Sequence, residues 1–265
     1  MVLAAVGYAQ RRQIGDARTI LLRGKEFDKA EKMMTDLLKD TANQNNKRIY
    51  DVWLQAVEKQ YAQLNEKMYM KQKVDTAKFF TLTQRIFTVA ERLDSIDMQP
   101  DKKGKVSPEY RKDNAKRLTS YRPNLFYGGA YYVRKQDFRK AYDFFEMYID
   151  CNQQPLFEGY DFENSDNRMG EAAYWATYCG YRMDDPMMCL RYADLARRDT
   201  SKLEYTLQYM TESWRKLSKD SLYRSTLWEG FRLDPKSPYF FPRLMDDYTS
   251  KGDYEEADKV VDEAL

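Results

Sequence analysis

The chain is 265 residues long, carries 44 Lys+Arg against 42 Asp+Glu for a formal net charge of +2, and has no histidine. Balanced charge points away from nucleic acid, and the missing imidazole excludes a Ser-His-Asp triad, a Cys-His pair and an HExxH zinc site. Gly and Pro are scarce, at 11 and 8, which predicts helix nearly throughout with few tight turns.

Residues 1–9, MVLAAVGYA, are apolar and end on small residues before Gln10. Two readings stay open. One is the remnant of a secretory signal cut after Gly7-Tyr8-Ala9, short of the basic leader such a signal has. The other is an apolar cap on the first helix. The first implies an exported protein, periplasmic or extracellular; the second a cytoplasmic one. No run of about 18 apolar residues follows, so no transmembrane segment is expected. Residues 10–41 contain ARTILLRGKEFDKAEKMMTDLL, two helices around the turn GKEFDKA, with Phe27, Ala30, Met34 and Leu37 at helical spacing. Residues 48–100 read as an elongated helical hairpin. The stretch DKKGKVSPEYRKDNAKRLTSYR holds eight Lys/Arg against three Asp/Glu. Ser107-Pro108 predicts a helix start there. Arg111, Lys112, Lys116 and Arg117 offer charge to phosphates or an acidic partner. Without interleaved aromatics they read as a solvated helix face, not a nucleic-acid surface.

In NLFYGGAYYVRKQDFRKAYDFFEMY, Leu125, Gly129, Tyr132, Phe138, Ala141 and Phe145 alternate between two helices and a turn. The inserted loop 151–169 follows. Its acids lack the spacing of a calcium loop, and no metal or cofactor site is expected. In AAYWATYCGYR, Tyr174, Tyr178 and Tyr181 share one helix face at i, i+4, i+7, and Arg182 extends from its end. Asp184-Asp185-Pro186 reads as a turn. Asp246 and Asp247 diverge by about 100° on a helix and form no acid/base couple by themselves. Cys151, Cys179 and Cys189 make no CxxC and suit buried helical positions. The last stretch, FPRLMDDYTSKGDYEEADKVVDEAL, is again helix, turn, helix. It stops at Ala264-Leu265 without a polar capping helix, as if cut or docked on another chain.

Ala257, Tyr223 and Cys189 stand at equivalent places exactly two steps of 34 residues apart. Ala141 lies 48 residues before Cys189, so about 14 residues are inserted between. The turn reads aromatic-x-x-Ala at Phe27–Ala30, Phe138–Ala141 and Tyr254–Ala257, and Leu233-Asp234-Pro235 closes one unit. The pattern resembles the tetratricopeptide repeat, most closely over 122–155 and 238–265, then 10–41 and 204–237, then 170–203. Residues 48–100 do not align to it.

The resemblance implies an all-α, right-handed α-solenoid of stacked helix-turn-helix repeats. Residues 10–265 would form one solenoid, with units at 10–41, 48–100, 107–155 (including an extended first helix), 170–203, 204–237 and an incomplete 238–265. First helices of such repeats line a concave face. The resemblance places Phe126, Ala130, Val133 and Arg134 there, then Tyr174, Tyr178, Tyr181 and Arg182, then Gln208, Glu212 and Arg215, then Asp246. The expected function is a non-catalytic scaffold that binds a protein or peptide segment on that face. The alternative is a glycan-binding or carbohydrate-active helical protein using the same aromatics and carboxylates. Solenoid ends at 1–9 and 260–265 also invite end-to-end self-association.

Overall fold

The computed structural model describes residues 2–101 and 103–265, with side chains from Gln10 onward. The expectation for 1–9, signal remnant or apolar cap, therefore falls on side chains outside the described residues. The chain is all-α: fifteen α-helices and no strand occur among the described residues, and helices pack on their neighbours in sequence as in a helical-repeat fold. No helix among them is long and apolar enough to cross a membrane.

Two compact units divide the chain. The first runs up to Leu125 and includes Gln153–Tyr160. It contains α1 (Val2–Arg23), α2 (Phe27–Leu37), α3 (Lys47–Tyr69), α4 (Thr76–Asp97) and α5 (Arg111–Tyr121). Helix α1 packs on α2, α2 on α3 and α3 on α4. Ile14, Ala17 and Leu21 of α1 meet Phe27, Ala30 and Met34 of α2 and Ile49, Val52 and Ala56 of α3. The long helices α3 and α4 form a hairpin over the stretch that defied the 34-residue register.

Helix α5 starts at Arg111, later than Ser107-Pro108 predicted. A carboxylate from elsewhere fixes the chain where it enters the helix. Asp97, at the end of α4, accepts from the amides of Glu109 and Tyr110, both at 2.7 Å, and from Lys47 Nζ at 3.2 Å. Beside it Arg111 grips Asp94 with two bonds of 2.7 Å and reaches Glu158, while Arg117 pairs with Glu58. Two of the four basic residues read as a solvated face thus hold unit 1 together. The expected extended first helix is also two helices: α5 ends at Tyr121 and α6 (Pro123–Arg134) begins beyond Arg122. Pro123 has no amide to donate back to α5, so the break falls there.

The second unit comprises Phe126–Asn152 and Asp161–Leu265. It holds α7 (Phe138–Asp150), α8 (Phe162–Ser165), α9 (Met169–Arg182), α10 (Pro186–Leu190) and α11 (Ala193–Ala196). Then come α12 (Leu203–Lys216), α13 (Asp220–Leu233), α14 (Phe240–Ser250) and α15 (Tyr254–Ala264). Helix α9 packs on α7, α10, α11 and α12; beyond it α12 packs on α13, α13 on α14 and α14 on α15.

The turns between paired helices repeat in backbone as well as in sequence. Asp184, Ser218 and Gly252 are each 34 residues apart and all left-handed, with φ of 62°, 53° and 74°. At each, the next residue donates five back: Asp185 to Gly180, Lys219 to Trp214 and Asp253 to Tyr248, at 3.1, 3.0 and 2.9 Å. The left-handed residue itself donates three back, to Tyr181, Arg215 and Thr249. That pair of bonds is the Schellman closure of a helix, which satisfies its last carbonyls. Gln136, at φ 59°, closes α6 the same way, with Asp137 bonded to Tyr132 at 3.0 Å. Ala141, Cys189 and Ala257 then sit buried at the crossings, while Tyr223, large for the role, stays half-buried. The tightest crossing is at Gly180, where an added Cβ would stand 2.3 Å from the Cys189 amide nitrogen.

The second helix of unit 170–203, expected to be continuous, is divided into α10 and α11. The break falls at Arg191 and Tyr192, whose side chains both reach Asp150 of α7, at 2.9 and 2.7 Å. All three cysteines are buried and free, as their helical placement predicted.

Candidate functional site

Tyrosines of α9 converge on a residue the sequence reading had not singled out, Tyr209 of α12. Tyr181 stacks on it with ring centres 4.6 Å apart, Tyr178 approaches to 5.8 Å and Tyr174 to 6.2 Å. The shared face of α9 places these rings in one row. Phe138 of α7 meets Tyr178 edge-on at 5.8 Å. Arg182 lies 4.4 Å over the Phe138 ring and donates to the Tyr178 hydroxyl at 2.5 Å. Tyr174 and Tyr209 also share a hydrogen bond, and burial, then that bond, push the Tyr209 phenol far up. It stays neutral at any ordinary pH.

Exposure grades along this row. Tyr174 is buried, Tyr178 is half-buried and Tyr181 is 37% exposed. Tyr205, one helical turn before Tyr209, is 49% exposed. On α9 a graded set of rings results, each packed on Tyr209. Such rigid amphipathic surface loses little conformational freedom on binding.

A polar group continues on α12. Glu212 receives two bonds from Arg215, at 3.1 and 2.8 Å, and one from the Tyr239 hydroxyl at 2.9 Å. Arg243 of α14 lies 3.7 Å above the Tyr239 ring and 3.6 Å from Glu212. Burial alone pushes the Glu212 carboxyl up, but the bonds from Arg215 and Tyr239 and the two guanidinium charges outweigh it. Glu212 is therefore held below its ordinary pKa and is ionised at neutral pH. Gln208 donates to Glu204 at 3.2 Å, one turn further back.

The expected groove residues thus divide. Tyr178, Tyr181 and Arg182 belong to the ring cluster around Tyr209, whereas Glu212 and Arg215 group with Tyr239 and Arg243, and Gln208 bonds to Glu204. Phe126 does not present an open ring: it is buried against Phe145 and Tyr148, at 5.6 and 5.8 Å, under the Arg168 guanidinium. Tyr174 likewise packs inward, on Trp175 and Tyr209. Large rings at these positions gain more by completing the core than by facing water. Arg134 and Asp246 are exposed, while Ala130 and Val133 are half-buried. Asp247, the neighbour of Asp246, binds Arg224 and Lys251 at 2.7 and 2.6 Å.

The residues that sequence reading missed, Tyr205, Tyr209, Tyr239 and Arg243, carried a signal. Tyr205 and Tyr239 are one 34-residue step apart, and Tyr205 and Tyr209 have the same-face spacing already noted in α9. No cluster of three or more His, Cys, Asp or Glu suited to a metal ion occurs among the described residues. In comparisons with known proteins, no family model matches the chain and no curated protein matches it.

Proposed function

We propose that the second unit is a tetratricopeptide-like binding module with no catalytic role, which takes an extended protein segment against α9, α12 and the start of α14. The observation carrying this reading is the pair of part-exposed tyrosines, Tyr178 and Tyr181, packed on the half-buried Tyr209, with Tyr205 exposed one helical turn before it. Tyr and Arg are the residue types that dominate binding energy in protein interfaces. Arg182 touches the row through Tyr178 and has no carboxylate partner among the described residues, whereas Arg215 and Arg243 are offset by that of Glu212. The segment best suited to the surface is therefore one with apolar or aromatic side chains and acidic groups beside them.

The test is selection from a displayed library of peptides against the full chain, followed by binding of the winners to Tyr178→Ala/Tyr181→Ala. A shared motif whose affinity falls at least tenfold in the variant, with the melting temperature held within a few degrees, supports the reading. No enriched motif, or equal binding by both proteins, contradicts it.

A second reading has one observation in its favour. The inserted loop, the start of α9 and residues 198–202 border a polar cleft of about 540 Å³ lined by Glu163, Asp166, Glu171, Arg198, Asp199 and Lys202 among others. Its mixture of acceptors and donors suits a hydroxyl-rich glycan. Binding on a glycan array that is lost in Glu171→Ala would favour this reading over the tyrosine row.

A further inference from the structure

The α3–α4 hairpin of the first unit runs past its own core. The last buried residue of α3 is Tyr61 and the first of α4 is Phe79; no residue from 62 to 78 is buried. Eight further residues of helix carry the chain about 12 Å beyond Tyr61 before α3 ends at Tyr69. At that tip stand three consecutive large apolar side chains, Met68, Tyr69 and Met70, exposed by 39%, 90% and 51%. A run of exposed large apolar residues is uncommon on a folded surface and marks a contact site. Lys67, Lys71 and Lys73 flank them, and none of these lysines takes part in an ion pair among the described residues. The acidic residues of the tip are Glu66 and Asp75, and Asp75 is occupied in capping α4 through the Lys78 amide at 2.9 Å.

We infer that this tip docks on an anionic lipid surface, with Met68, Tyr69 and Met70 entering the headgroup layer and the lysines meeting lipid phosphates. Two physical points favour lipid over a protein groove. Successive helical residues project about 100° apart, so the three apolar side chains fan around the tip and present no common face to a groove. A bilayer interface surrounds the tip and accepts them from all sides. Tyr and Met beside Lys also match that layer: the ring sits at headgroup depth, roughly 5–10 Å in, while lysine stems extend to the charge.

Co-flotation of the full chain with phosphatidylcholine vesicles, and with phosphatidylcholine–phosphatidylglycerol vesicles at about 2:1, tests this. Binding is expected to the second only, and to weaken as salt shortens the screening length. Lys67→Gln/Lys71→Gln/Lys73→Gln is expected to lose on the order of 100-fold in affinity, about fivefold per lysine. Met68→Ser/Tyr69→Ser/Met70→Ser is expected to lose at least tenfold with its charge intact. Both variants keep the wild-type circular dichroism and melting temperature, because the tip contains no buried residue. Absence of vesicle binding overturns the inference, as does full binding by either variant. Tip-dependent capture of a protein without vesicle binding also overturns it and assigns the tip to a protein partner.

Discussion

Gly180 and Gly15 carry opposite expectations because their surroundings differ by a single approach. At Gly180 an added Cβ meets the α10 backbone at Cys189, which cannot yield without moving a helix. Gly180→Ala is therefore expected to destabilise the chain by about 2–3 kcal/mol, read by denaturant unfolding. Gly15 is exposed in α1 with nothing within 4 Å of such an atom, so Gly15→Ala is expected to stabilise by about 0.5–1 kcal/mol. The buried thiols give a second residue-scale test. Burial pushes the Cys179 thiol up to about 12 and the Cys189 thiol up to about 11. Only the thiolate reacts, so both remain inert to a disulfide reagent at mildly alkaline pH and react fully once the chain is unfolded. Fast native-state reaction at either position would show that the α9–α10 crossing is open.

Among elements, the helix closures make the clearest predictions. Ser218 and Gln136 hold left-handed conformations that glycine adopts without strain. Ser218→Gly and Gln136→Gly are each expected to raise stability by about 0.5 kcal/mol, where the same change in mid-helix would lower it. Asp97 is expected to matter far more. Asp97→Ala strips two amides at the entry to α5 and leaves Lys47 with only Glu109, a loss of about 3 kcal/mol in urea unfolding. These elements also mark how far the sequence could be read. Helix pairs and turns of 122–155 and 170–265 were legible because apolar spacing, turn chemistry and the 34-residue step agree. The start of α5 was not, because Ser107-Pro108 is a sound local signal and the group that overrides it is ten residues upstream in α4. Nor was the break between α10 and α11, where side chains of Arg191 and Tyr192 answer to Asp150 across 41 and 42 residues. Long-range carboxylates leave no local pattern.

For the whole molecule, the candidate site was half legible. Same-face spacing found the row on α9, and register found Gln208, Glu212 and Arg215 on α12. Neither could tell which rings turn inward, since Phe126 and Tyr174 satisfy the same spacing as Tyr178 and Tyr181. That choice depends on partners from α7 and α12, which only packing supplies. The central claim is that a protein segment lies along the open rings of α9 and α12. The most direct measurement places a photo-crosslinking benzoyl-phenylalanine at Tyr181 or Tyr205 and, as a control, at Leu222, an exposed apolar residue of α13. After irradiation with a selected peptide, the account predicts adducts at Tyr181 and Tyr205 and none at Leu222. Adducts at Leu222 alone, or at no position despite measurable binding, would contradict it.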